Sequence, residues 1–311
     1  MLQHGLLDSR QCDAAGVDDG RRARLRRAGM LVPVVRGVHD AAPVLAARTD
    51  PTGWRDVHPD DRRRRRSAWV ALLALGRERA VAVGPCALAL LGVEGLPVRL
   101  RPEAALLDGS HRVPGGGIRV RSLRPGAVHR VGGAWVADAR DALAQAVCEL
   151  GRDRAVAVLD SAVHRRLVTP EDLDDVRRAV RGRRGGARTA GWWDLVDGRA
   201  QSPLETWARL QCRDAGLAPH DLQVLVRDAR GQVVAAGDLG WRLDDGRLLV
   251  VEIDGAGPHG TPEAVHRDRE RQNAIVATGA LLLRFTATDV RRGVVASSVA
   301  RHVTPLAVPG T

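Results

Sequence analysis

Apolar and polar positions alternate with different periods along the chain, and the changes of period mark out its elements. Ser9 stands before the short run Arg10 to Ala15, which Gly16 closes, and Asp18-Asp19 open a second run through Arg27 to Gly29. Both read as short helices joined by a tight turn, with Ser9 as the first N-cap. Met30 to His39 alternates as a small hairpin does. Ala68 to Gly76 and Cys86 to Leu91 predict apolar helices, Val98 to Leu100 and Ile118 to Val120 short strands, and Ala137 to Leu150 an amphipathic helix. From Gln201 the order becomes helix, hairpin, helix, strand. Ser202-Pro203-Leu204-Glu205 opens a helix that runs through Arg213. Gln223 to Arg227, Val233 to Trp241 and Leu248 to Asp254 predict strands, the last two joined by the turn Asp244-Asp245-Gly246.

Two stretches interrupt these patterns. Asp50 to Arg66 contains Pro51, Gly53, Pro59 and the run Asp60-Asp61-Arg62-Arg63-Arg64-Arg65-Arg66, and reads as a linker. Arg181-Gly182-Arg183-Arg184-Gly185-Gly186 reads as a second. They divide the chain into residues 1–50, 67–180 and 200–292. The expectation is an α+β multidomain protein with an N-terminal winged helix-turn-helix, a mixed α/β middle region and a C-terminal αβββαβ domain.

Composition changes this picture in one respect. All 48 basic residues are arginine, against 37 acidic ones, for a net charge of +11. With no lysine, Schiff-base enzymes and P-loop NTPases are excluded. The charge is +6 over residues 1–80, +5 over 81–200 and zero over 201–311, so the excess that would meet a phosphate backbone lies in the first two-thirds. Arginine charge alone does not separate DNA from RNA. Apolar content of 44% and charged content of 27% are those of a folding chain. The start Met1-Leu2-Gln3-His4-Gly5 is not a secretory leader and no apolar run approaches a membrane span, so the expectation is a cytoplasmic protein with no membrane partner. Cys12, Cys86, Cys148 and Cys212 lack metal or disulfide spacing and are expected as small buried side chains.

The chemistry collects in the C-terminal third. A turn centred near residue 245 sets Asp238 within about one residue of lying opposite Glu252, and period-two alternation puts Asp254 on the same face as Glu252 while Val251 and Ile253 point into a core. Two carboxylates held that closely share a cation or a proton. Mg2+ on Asp238 and Glu252 would neutralise a scissile phosphate and lower the pKa of an attacking water. Other roles stand beside these. Glu205 follows Ser202 by three and completes a capping box as readily as it orients metal or water. Asp238 and Glu252 are metal ligands, an exposed hairpin pair or partners of Arg284. His259 is a proton-transfer group or a loop residue, and Asp268 and Arg271 are i, i+3 surface partners or a phosphate clamp.

Gly5-Leu6-Leu7, Ala14-Ala15-Gly16, the basic helix ending in Gly29 and Val35-Arg36-Gly37-Val38 resemble the N-terminal winged-helix domain of AbiEi-like antitoxins of type IV toxin–antitoxin systems. That resemblance implies sequence-specific DNA binding, with Arg22, Arg26 and Arg36 as candidate contacts, and a nucleotidyltransferase-like toxin as a partner. Ser202-Pro203-Leu204-Glu205, Gly237-Asp238-Leu239, Val250 to Gly255, His259, Arg267 to Arg271 and Leu283 to Thr286 resemble, as an ordered set, the restriction-endonuclease-like superfamily and its branch related to very-short-patch-repair endonucleases. The resemblance implies a catalytic set of Glu205, Asp238, Glu252, Asp254 and His259. The superfamily's lysine, two residues after the second acid, falls at Asp254, which leaves His259 as the candidate base. A non-enzymatic regulator or antitoxin built on a degenerate nuclease fold is the rival reading.

Overall fold

Three separate sheets and their covering helices make up the protein in a computed structural model that describes residues 3–41, 58–110, 116–122, 126–255 and 262–303, the side chains of 262–265 excepted. The chain is mixed α and β and divides into two units. One comprises Met1–Gly151 with Arg165–Trp193, the other Arg152–His164 with Asp194–Thr311.

In the first unit, β1 (Leu6–Asp8) pairs with β3 (Val38–Asp40), which pairs with β2 (Val32–Val35) in a three-stranded antiparallel sheet. Helices α1 (Ser9–Ala14) and α2 (Asp19–Arg27) lie between β1 and β2 in sequence. The N-cap of α1 is Asp8, where Ser9 is expected. Asp8 Oδ1 accepts from the Gln11 amide at 2.7 Å and Gln11 Oε1 accepts from the Asp8 amide at 3.0 Å. A cap at Ser9 would place Cys12 at the reciprocal position, with no acceptor to return the bond.

The arginine run is helical, not a linker. Helix α3 (Pro59–Leu75) takes it in whole, with His58 Nδ1 accepting from the Asp60 amide at 3.2 Å and Pro59 at the first turn. Asp60 and Asp61 meet the positive end of the helix dipole and pair forward with Arg63 and Arg64 at 3.4 and 2.6 Å, so neighbouring acids offset the repulsion expected of the run. Ala68 to Leu73 then bury. Residues 42–57 of the expected linker lie outside the described residues.

A five-stranded mixed sheet completes this unit, in the order β6 (Arg119–Arg121), β5 (Glu103–Leu106), β4 (Ala80–Ala82), β8 (Ala134–Ala137), β7 (Val128–Val131). Helices α4 (Gly84–Leu90), α5 (Ala139–Glu149) and α7 (Asp172–Val180) accompany it. Val98 to Leu100, expected as a strand, is not one. The strands actually formed at Ala80–Ala82 and Glu103–Leu106 are short and alanine-rich, a composition with little strand signature of its own.

In the second unit, helix α8 (Pro203–Asp214) is followed by β9 (Asp221–Arg227), β10 (Val233–Arg242), β11 (Leu248–Asp254), helix α9 (Pro262–Ala277), β12 (Leu281–Thr286) and two short helices, α10 (Ala287–Arg292) and α11 (Val294–Val299). The sheet order is β12-β11-β10-β9, with β11 and β12 parallel and the other pairs antiparallel. Each face has its own core. Leu239, Trp241, Leu249 and Val251 pack with Ala208 and Cys212 of α8, whereas Val226, Ala235 and Val250 pack with Ile275 of α9.

Helix α6 (Arg152–His164) falls within the expected 67–180 segment but belongs to this second unit. Its Asp160, 1% exposed, is the reason. Asp160 accepts from Arg209 and Thr206 of α8 at 2.8 Å each and from the Asp197 amide at 2.7 Å. Removing the carboxylate would strand a guanidinium that is itself 6% exposed. We expect Asp160→Ala to cost ~3–5 kcal/mol in denaturant unfolding, against little change for substitutions at exposed Arg154. Burial outweighs Arg209 and pushes the Asp160 carboxyl up to about 6. The folded state therefore holds this proton more tightly than the unfolded chain, so the linked stability is present below about pH 4 and lost as pH rises through 6; Asp160→Asn flattens that slope.

Candidate functional site

The sheet of the second unit has an irregularity at its centre. Leu222 and Val226 are four residues apart on β9, as are Ala235 and Leu239 on β10, so strict alternation would keep each pair on one face. Yet Leu222 and Leu239 pack in the α8 core, while Val226 and Ala235 pack in the α9 core. The two strands change faces together. On β9 the change sits beside Gln223, a non-glycine residue at φ +52°. On β10 it sits beside Asp238, which the register of Gly237 with Val224 and Leu239 with Leu222 places opposite Gln223.

Three acids converge near this kink. The β10–β11 register pairs Leu239 with Val251, and one further step sets Asp238 opposite Glu252. Asp238 Oδ2 accepts from the Ile253 amide at 2.6 Å, substituting for a main-chain rung. Glu205, on the first turn of α8, is 6% exposed; its amide donates to Ser202 Oγ at 3.2 Å. The Glu205 carboxylate does not close the expected capping box onto Ser202. It accepts from the Gln201 amide at 2.8 Å and from Gln223 Nε2 at 3.0 Å. Gln223 stands opposite Asp238 in the register and its carboxamide favours the ionised form of that acid, so one side chain serves both acids.

On β11, Glu252 is buried and ion-paired to Arg271 of α9, with Arg284 Nε 3.7 Å from its other oxygen. Arg284 stands directly opposite Glu252 in the parallel register. Its guanidinium holds Asp254 at 2.8 and 3.2 Å and Asp268 at 2.7 Å. Asp268 and Arg271, expected as each other's partners, reach inward to Arg284 and Glu252 instead. One helical turn apart, they share the face that α9 turns to the sheet. Arg284 does pair with Glu252, as one of the readings of that acid requires, although Arg271 is its nearer partner.

Burial raises the carboxyl pKa values of Glu205, Asp238 and Glu252 above their ordinary range. Mutual repulsion adds to this: Asp238 acts on both Glu205 and Glu252, and Asp254 acts on Asp238 and Glu252. Five carboxylates, counting Asp254 and Asp268, thus face two guanidiniums, and the cluster keeps a formal excess of negative charge. His259 lies outside the described residues. Among the described residues, no three His, Cys, Asp or Glu side chains are gathered to hold a metal.

The candidate nucleic-acid contacts of the first unit separate. Arg26 and Arg36 are exposed. Arg22 is 5% exposed and is spent inside the fold: it pairs with Asp13 and Asp19 and donates to the Val17 carbonyl at 2.7 Å and the Ser9 carbonyl at 3.3 Å. It ties α1 to α2 and is not free to meet a partner. Gln201 and Gln223 went unnoticed in the sequence; the latter's place opposite Asp238 was the available signal.

Two uncharacterized proteins from two strains of Mycobacterium tuberculosis are each 30% identical to this chain over 160 residues, 50% of this chain and 56% of the relative. The chain thus spans little more than half the length of these curated relatives. No family model matches the chain, and no solved structure matches it at a significant level.

Left-handed backbone at a side chain with a Cβ costs ~1–2 kcal/mol, which glycine does not incur. Gln223→Gly and Gln223→Ala both lose the carboxamide that serves Glu205 and Asp238, but only alanine keeps the strain. We expect the glycine variant to be the more stable of the two by about 1 kcal/mol in urea unfolding. Equal stabilities would mean that the backbone relaxes at this position.

Proposed function

We propose that this is a DNA-binding protein whose C-terminal unit is a restriction-endonuclease-like phosphodiesterase dependent on magnesium, brought to DNA by an N-terminal winged helix. The observation that carries the reading is the position of Asp238 opposite Glu252 at a strained kink, with Gln223 serving both Glu205 and Asp238. The element order α8-β9-β10-β11-α9-β12 supports it. So does the arrangement of two helices followed by a hairpin in the first unit.

The residues fit magnesium in their chemistry. They are hard oxygen donors, partly desolvated and carrying more negative charge than their arginines neutralise, and magnesium takes one or two protein carboxylates and leaves its other positions to water and phosphate. Asp238 and Glu252 would hold it. The ion, when bound, supplies charge neutralisation at the scissile phosphate and a water of lowered pKa. Glu205 and Gln223 orient Asp238. Arg284 holds Asp254 and Asp268 in place, and Arg271, 44% exposed, is the guanidinium placed to meet a phosphate oxygen. His259 is the proton-transfer group in this reading.

Supercoiled plasmid incubated with the purified protein and Mg2+ tests the proposal. Asp238→Asn and Glu252→Gln should each slow nicking by more than ~100-fold while the fold persists by circular dichroism. Nicking that survives both substitutions would sink the assignment. One observation favours the second reading, a non-catalytic regulator of the antitoxin type: Glu252 and Asp254 already have arginine partners, and the chain has no lysine. Tight binding to the chain's own promoter, with a nucleotidyltransferase-like gene alongside and no cleavage under any divalent ion, is its signature.

The winged-helix assignment makes its own prediction. Arg26→Ser and Arg36→Ser should each weaken DNA binding and lower the slope of log affinity against log salt by about 1, with stability unchanged. Arg22→Ser should instead lower the thermal stability of the first unit, because Asp13 and Asp19 lose their shared partner.

A further inference from the structure

The first unit contains a cavity of about 770 Å³ lined by Arg119, Arg121, Arg183, Arg184 and Arg188, with Gln145, Cys148 and Glu149. We propose that it binds a small anion bearing two or more phosphate groups, of the size of a nucleoside diphosphate.

The cavity exists because Arg181 to Gly186 is a folded turn and not the linker that its composition suggests. Gly185 adopts φ +86°, and a Cβ there would lie 2.4 Å from the Cys148 carbonyl oxygen at the end of α5. A Cβ on Gly186 would lie 2.4 Å from the Val180 carbonyl. Backbone packed this closely admits only glycine, so the glycine pair seats the turn against α5 and presents Arg183 and Arg184 at the cavity.

The arginines fall into two groups. Arg119 and Arg121 are neutralised by Glu149 and by the buried Glu103, at separations of 2.5 to 3.6 Å. They form a rigid wall. Arg188 donates to the Cys148 and Leu150 carbonyls at 2.8 and 2.9 Å through one nitrogen, and Arg183 donates to the Ala179 carbonyl at 2.7 Å through Nε. Neither meets a carboxylate among the described residues, and Arg184 has no hydrogen-bond or ion-pair partner among them. Three guanidiniums therefore line the cavity without a carboxylate partner among the described residues, Glu149 being taken up by Arg119 and Arg121. Their planar forks match phosphate oxygens, and three cations in one concavity suit a ligand of charge near −3 better than a lone monoanion. The volume lies within the range of small-molecule pockets and far above that of a single phosphate. No aromatic ring lines the cavity, which places recognition on the phosphates and not on a stacked base.

Inorganic pyrophosphate, ADP and citrate, titrated calorimetrically into the full-length protein at matched ionic strength, test the proposal. The expected result is micromolar binding of pyrophosphate and ADP, at least 10-fold weaker binding of citrate, and a loss of at least 10-fold in the doubly substituted Arg183→Ser/Arg184→Ser protein. Both positions are exposed, so that variant should unfold at the wild-type temperature without ligand. Absence of pyrophosphate binding, citrate bound equally well, or affinity untouched by the double substitution would each overturn the proposal. An oligonucleotide arm identifies the source of the phosphates. Displacement of ADP by a 5′-phosphorylated strand and not by its 5′-hydroxyl counterpart assigns the site to a nucleic-acid end, displacement by neither assigns it to a free small molecule, and displacement by both shows a general polyanion surface and overturns the cavity assignment.

Discussion

Taking an ionised group out of water costs several kcal/mol unless an opposite charge or a full set of hydrogen bonds replaces the solvent, and in this lysine-free chain the permanent opposite charge for a buried acid is arginine. Six Asp, Glu or Arg residues are buried among those described: Arg22, Glu103, Asp160, Glu205, Arg209 and Glu252. Five sit in ion pairs, and those pairs organise the fold. Arg22 joins two helices through Asp13 and Asp19, Glu103 joins adjacent strands through Arg121 and Arg119, Asp160 with Arg209 recruits α6 to the second unit, and Glu252 draws α9 onto β11 through Arg271. Glu205 is the exception. It is satisfied only by an amide of the main chain and the carboxamide of Gln223, and it feels the charge of Asp238. Among the described residues it is the buried acid without an arginine partner, and in the proposed function an added cation would relieve its charge.

The parts of this arrangement that local sequence encodes could be read directly. The Asp244-Asp245-Gly246 turn, with Gly246 at φ +83°, sets the β10–β11 register, and register decides which acids face each other. The apolar alternation of Leu249, Val251 and Ile253 fixes the inward face of β11, and Ser202-Pro203 starts α8. What depends on long-range pairing was not legible. Asp160 looks like an ordinary helix residue until Arg209, 49 positions on, is brought against it. The arginine run looked self-repelling because its partners Asp60 and Asp61 count only once the segment is helical and turns them onto Arg63 and Arg64. Gln223 carries no motif, and its left-handed backbone arises only where two strands change faces together.

Charge is divided between the units in a way that composition alone conceals. The basic excess lies before residue 200, but part of it is consumed internally, as Arg22, Arg64 and Arg66 show. What remains for a partner is narrower than +11 suggests, and among the described residues it includes Arg26 and Arg36 in the N-terminal helices and hairpin and the three guanidiniums of the arginine-lined cavity. Residues 201–311 are formally neutral, yet five of their acids, Glu205, Asp238, Glu252, Asp254 and Asp268, are gathered near the sheet kink. Neutrality summed over a hundred residues is compatible with a strongly negative site, because potential depends on where charges sit more than on their total.

The two arginines at that site differ in how firmly they are held, and the difference bears on the absent lysine. Arg284 is bound by two oxygens of Asp254 and one of Asp268, opposite Glu252 on the neighbouring strand, with its side chain 28% exposed. Arg271 reaches Glu252 from a helix, makes among the described residues one further bond, to the Ala236 carbonyl at 3.4 Å, and is 44% exposed. The Arg271 guanidinium can itself return to water, but Glu252, with its side chain 5% exposed, would be left unpaired at a cost of several kcal/mol unless another cation takes the place of the arginine. In the proposed function Arg284 acts as the fixed charge that keeps Asp254 and Asp268 from repelling Glu252 apart. Arg271 is the exchangeable one, covering Glu252 until another cation takes its place. A lysine on the strand could touch two acids through its three N–H donors, but it lacks the planar fork by which Arg284 holds both oxygens of Asp254 while reaching Asp268.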